Sequence, residues 1–152
     1  MSDIGYESQG IEQALAREGE IMVCTSGVSM KPMLRHRRDM IVLEKVSRPL
    51  KKHDVPLYRL SSGKLVLHRI LKVDGESYII RGDNLFHKEY VTEDMIIGVL
   101  KSFYRGKKYY ECATSKKYRV YIAYIRVFYL PRKLWSRGIR PVLSKIKHFI
   151  LR

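Results

Sequence analysis

Acidic residues are scarce in the last third of this chain: residues 106–152 contain one, Glu111, against thirteen Lys and Arg. That stretch carries +12 of the formal charge of +15, and residues 1–105 carry the other +3. The basicity therefore belongs to a tail, which implies a near-neutral body with an anion-seeking extension. Cysteine is scarce too. Cys24 and Cys112 lack metal-ligand spacing and allow at most one disulfide, so the chain is read with neither metal nor cofactor. Residues 1–20 hold Asp3, Glu7, Glu12, Glu18 and Glu20 and no apolar run, which reads as neither a signal peptide nor a membrane span. Repeats and low-complexity segments are also missing. What remains is 152 residues with 45% hydrophobic side chains, enough for one domain with a core and an appendage.

Residues 8–19 predict a short helix with Ile11, Ala14 and Leu15 on one face and Gly19 as its stop, a flap or brace in size. Strand signals then run to about residue 112. Residues 21–24 lead into a serine-bearing turn, and the β-branched run 40–46 follows it. Runs 55–60 and 64–73 flank Ser61-Ser62-Gly63, a hairpin loop. Asp74-Gly75 turns the chain into 77–81, and Arg105-Gly106 joins 95–104 to 107–112. Short strands at this spacing imply a mainly β, partly closed structure. In the tail, 118–130 is apolar and aromatic but too short and too charged to cross a bilayer, and Pro131 is expected to end it. Residues 141–152 predict an amphipathic helix starting at Pro141. Its apolar face holds Val142, Leu143, Ile146, Phe149 and Ile150, its cationic face Lys145, Lys147, His148 and Arg152, and Trp135 lies nearby as an anchor. The division is thus 1–20 helical segment, 21–112 β-domain, 113–152 basic amphipathic tail.

The chemistry centres on Thr25-Ser26-Gly27-Val28-Ser29-Met30-Lys31-Pro32. A serine held in a restricted turn beside free backbone N–H groups presents a fixed, exposed hydroxyl, and Ser29 is read as a nucleophile. Standing alone, the same residues make an ordinary loop. His68 lies within the apolar run Leu65-Val66-Leu67-His68-Arg69-Ile70-Leu71, where packing does not need an imidazole. Neutral imidazole, with a reference pKa of about 6.5, suits the task of taking the serine proton. Two carboxylates follow, Asp83 in Arg81-Gly82-Asp83-Asn84 and then Glu89. Either would fix the tautomer of a histidine base, and the spacing does not choose between them.

In this order and roughly this spacing, Ser-Gly-Val-Ser-Met-Lys-Pro (26–32), Leu-His-Arg-Ile (67–70) and Gly-Asp-Asn (82–84) resemble the S24/S26 serine peptidases, which join type I signal peptidases with LexA-like repressors. The likeness covers roughly residues 20–105 and includes secondary segments at 55–59 and 97–99. It implies Ser29 as nucleophile, His68 as base in the histidine form of the family, and Glu89 as the orienting acid in an ungapped reading. It also implies an oxyanion and substrate-binding site around Ser26, Gly27, Val28 and Met30. The implied fold is the signal-peptidase/LexA-like β-fold with a short N-terminal helix and a basic, helical C-terminal tail. Two departures stand out: Arg38-Asp39 and His53-Asp54 occupy places where signal peptidases usually have Gly-Asp, and bulky residues there imply altered turns.

The expected function is a serine endopeptidase cleaving leader or signal-like peptides with a Ser29/His68 dyad. Its substrate is a peptide or preprotein. Residues 113–152 would hold it to an anionic membrane surface, peripherally on the cytoplasmic face. A non-catalytic peptide-, membrane- or nucleic-acid-binding module on the same fold is the alternative, with Tyr109, Tyr110, Tyr118, Tyr121 and Tyr124 as stacking candidates. The apolar faces of the tail suit a lipid boundary better than a phosphate track. A self-cleaving repressor is disfavoured, because residues 1–20 hold neither a DNA-binding domain nor an Ala-Gly cleavage site.

Overall fold

The computed structural model describes residues 8–135, so the amphipathic helix expected at 141–152 lies outside the described residues. The first helix, α1 (Ser8–Glu18), buries Ile11 and Leu15, one turn apart on the same face. Gly19 stops it at φ +74°, with its N–H on the carbonyl of Leu15. Leu15 packs on Gly98: a Cβ at Gly98 would stand 2.5 Å from Leu15 Cδ2 and 3.0 Å from the carbonyl of Glu44. The helix is a brace seated on a glycine notch.

Among the described residues nine strands follow: β1 (Glu20–Cys24), β2 (Asp39–Glu44), β3 (Pro56–Arg59), β4 (Leu65–Leu67), β5 (Arg69–Asp74), β6 (Ser77–Arg81), β7 (Glu89–Thr92), β8 (Ile96–Arg105) and β9 (Lys108–Glu111). All pairings are antiparallel. One sheet runs β1-β2-β8-β3-β4 with β9 also on β8, and a second runs β5-β6-β7. The protein is thus mainly β, with a short helix at the start of its described part. Leu50, Tyr58, Val66, Ile70, Tyr78, Ile80, Val91 and Val99 pack into one buried cluster that draws on both sheets.

Two expectations change. The run 64–73 is two strands. β4 pairs with β3 (Leu57↔Leu67) in the first sheet, and β5 pairs with β6 (Arg69↔Arg81) in the second. The chain changes sheets at His68, since no single straight strand can serve two ladders. At the turns read as altered, His53 keeps the glycine-like conformation at φ +80°. Its N–H bonds to the carbonyl of Ile70, and Asp54 receives the N–H of Lys51 and a forked bond from Arg48. These bonds offset a left-handed conformation that costs a side chain about 1–2 kcal/mol. In the earlier turn the positive φ, +51°, falls on Arg37 and not on Arg38.

The chain divides into two units between Tyr118 and Arg119. Helix α2 (Lys116–Val127) begins where Ser115 Oγ accepts the N–H of Tyr118, and α3 (Tyr129–Leu134) follows. Pro131 was expected to end the segment, but it lies in the first turn of α3. There a missing N–H has no helical partner to lose, and the break falls at Phe128 instead.

Candidate active site

The loop between β1 and β2 carries the serine box and is tied down on both sides. Thr25 is buried. Its N–H reaches the carbonyl of Asp39, and its hydroxyl lies 2.9 Å from the carbonyl of Arg35 and 3.0 Å from that of Asp39. The wholly buried Asp39 carboxylate accepts from the backbone N–H and guanidinium of Arg35. Asn84 clasps the far side of the loop. Its N–H donates to the carbonyl of Ser29 at 2.7 Å and its side-chain amide to the carbonyl of Val28 at 3.2 Å. The serine and Gly-Asp-Asn boxes, 50 or more residues apart in the chain, therefore touch through their backbones.

Ser29 is 0% exposed. The expectation of an exposed hydroxyl is corrected, because Asn84 and Gly82 close over the loop. Ser26 and Gly27 are half-buried, Val28 is exposed, and Met30 is buried. Gly27 takes φ +89° and donates its N–H to His36 Nδ1 at 2.7 Å, so this N–H is committed to a histidine the sequence did not single out. Thr25, Ser26, Gly27, Met30, Leu34, Ile41 and Leu67 line a cavity of about 10 Å³, room for about one water.

His68, at the sheet-to-sheet crossover, is 3% exposed. Its Nδ1 lies 3.0 Å from Glu89 Oε2 and 3.0 Å from the hydroxyl of Tyr58, which itself donates to Glu89 Oε2. An ionised carboxylate only accepts, so Nδ1 carries the proton in the neutral ring and Nε2 is the basic nitrogen. Nε2 is buried and has no hydrogen-bond partner among the described residues. Gly82 walls it. A Cβ there would stand 3.0 Å from Nε2 and 2.9 Å from the carbonyl oxygen of Ser29, so glycine is what allows imidazole and serine loop to share this wall.

Glu89 titrates low, at about 2: the hydrogen bond from His68 holds its charge, burial opposes, and Tyr58 and His87 add to the effect. Burial and the Glu89 carboxylate raise the Tyr58 phenol. A carboxyl depressed in the folded state from its ordinary 4.5 stabilises the fold above that value and loses the contribution as pH falls toward 2. Wild-type protein is expected to lose on the order of 2 kcal/mol by this route, allowing for partial exposure. Glu89→Gln should flatten the decline in denaturant unfolding between pH 5 and pH 2.5, and an unchanged slope would remove Glu89 as its source.

Asp83 does not reach His68. Its oxygens accept from Arg69 Nε at 2.8 Å and Nη2 at 2.7 Å, a forked pair in which Arg69 is 1% and Asp83 4% exposed. Arg69 Nη1 also donates to the carbonyl of His53 and to the hydroxyl of Tyr118. Burial works against the guanidinium charge, and Asp83 and Tyr118 together outweigh it, holding the group well above its usual pKa. The choice left open by the sequence falls to Glu89 on geometry, and Asp83 anchors the loop that carries Gly82. Tyr118, buried on Arg69, is corrected as a stacking candidate, and Tyr110 stacks on Phe103.

Tyr58 and Arg69 were missed as parts of the site. A tyrosine in the apolar run Val55-Pro56-Leu57-Tyr58 was the available signal, because a buried phenol requires a partner. Set against models of known families and against curated proteins, the chain matches none.

Proposed function

We propose that this protein is a serine endopeptidase in which Ser29 attacks a peptide carbonyl and His68, oriented by Glu89, takes and returns the proton. The carrying observation is the histidine: Nδ1 is occupied by Glu89 while Nε2 is buried, unbonded and walled by the glycine that borders Ser29. The attack forms the Ser29 Oγ–carbon bond, His68 Nε2 takes the hydroxyl proton and passes it to the leaving amine, and water activated by the same nitrogen releases the acyl group. The small cavity beside Ser26 and Met30 suits a substrate with a small side chain at the cleaved bond. The ordered boxes at 26–32, 67–70 and 82–84 support a signal-peptidase/LexA-like fold, with leader or signal-like peptides as substrates.

A second reading draws on the burial of Ser29: a module of this fold that binds a peptide without cutting it. One comparison separates the two. New peptide N-termini are collected from the membrane and soluble fractions of cells expressing wild type, Ser29→Ala or His68→Ala. Termini that appear with wild type alone identify a peptidase and its substrate. Identical sets from three folded proteins sink the catalytic reading.

A further inference from the structure

We infer that α2 and α3 form a docking surface for an anionic lipid bilayer, a role separate from the proposed peptidase chemistry. On α2, Val120, Tyr124 and Val127 recur at i, i+4 and i+7 and so form one stripe. Val120 is 70% exposed and Val127 69%. Leu130, Leu134 and Trp135 continue the apolar surface through α3, with Leu134 68% exposed. Tyr118, two residues before Val120, lies on the other side of α2 and is buried.

Charge chooses the occupant. Residues 116–135 hold six Lys or Arg and no acid. Lys116, Lys117, Arg119 and Arg126 flank the exposed stripe on α2, and Arg132 and Lys133 sit beside Leu134. A second copy of this surface would bring like charges together around its apolar stripe. Nucleic acid would meet the cations but leave four aliphatic side chains, Val120, Val127, Leu130 and Leu134, facing phosphates and water. An anionic bilayer satisfies both halves: the stripe enters the acyl boundary, and the cations extend to the headgroups. No described helix is long and apolar enough to cross, so this surface lies on the membrane. It assigns to 116–135 a defined share of the membrane contact expected of residues 113–152.

Trp135 is the single tryptophan of the chain and half-exposed, so its fluorescence reports this surface alone. The test titrates the full chain at 0.15 M salt with phosphatidylcholine vesicles containing 30% phosphatidylserine, with pure phosphatidylcholine vesicles, and with duplex DNA of equal charge. The anionic vesicles are expected to shift Trp135 emission to the blue, and brominated acyl chains to quench it. Val120→Ser/Val127→Ser/Leu134→Ser, which keeps every charge, should weaken vesicle partition at least tenfold. Vesicle binding without a shift or quenching, partition unchanged in the triple variant, or tighter binding to DNA than to vesicles would each overturn the inference. The wild-type fluorescence result stands even if the triple variant fails to fold.

Discussion

Asp83→Ala is expected to cost the folded state about 3–5 kcal/mol, a large share of the stability of a domain this size. The variant leaves the Arg69 guanidinium, 1% exposed, without the carboxylate that holds two of its nitrogens. The carbonyl of His53 and the hydroxyl of Tyr118 accept from Nη1 but carry no compensating charge. Asp83→Asn keeps one acceptor and should fall between the two. Arg69→Met/Asp83→Leu removes both charges and should regain most of the loss, since a buried ion pair exchanged whole for apolar side chains is often nearly neutral. Guanidinium unfolding of the full chain at pH 7 measures all three. A cost below about 1 kcal/mol for Asp83→Ala would mean that water reaches the guanidinium. Because Asp83 follows Gly82, the folded fraction of Asp83→Ala should also turn over more slowly. The shape of its pH profile should persist, since Glu89 and not Asp83 orients His68.

The part of this arrangement legible in the sequence is the part written in local chemistry. Asp74-Gly75, Ser61-Ser62-Gly63 and Arg105-Gly106 mark real turns because positive φ favours glycine, and Gly63, Gly75 and Gly106 all take it. Helix α1 was legible from Ile11 and Leu15. What escaped was set by pairing across the sheets. β7 has one buried side chain, Val91, so its four residues show no alternation, yet its register on β6 (Ile80↔Glu89) delivers the carboxylate to His68. The nearer acid in sequence, Asp83, is taken by the arginine next to that histidine. Linear spacing cannot express such a contest. Burial of Ser29 was equally hidden, because the covering comes from Asn84 and Gly82, residues whose position follows from the second sheet.

Ser29→Ala is expected to lower kcat on a cleaved peptide by about 10⁴-fold or more while the protein stays folded. The hydroxyl is buried, so its removal also touches stability, by about 1 kcal/mol, the usual worth of one hydrogen bond. That cost is too small to account for the loss of turnover. His68→Ala should match Ser29→Ala in rate, and the double variant should be no slower than either single one, because the proposed mechanism has nucleophile and base act in one step. Additive losses would mean that the two side chains serve separate functions. The acid side of the wild-type kcat/KM profile should fall as the imidazole protonates, since a cation at Nε2 cannot take the serine proton. Tyr58→Phe isolates the hydroxyl that shares Glu89 with His68. Loss of that donor leaves Glu89 Oε2 to His68 alone, strengthens the pull on the imidazolium, and should move the acid limb of kcat/KM to higher pH. A limb that stays in place would limit Tyr58 to packing.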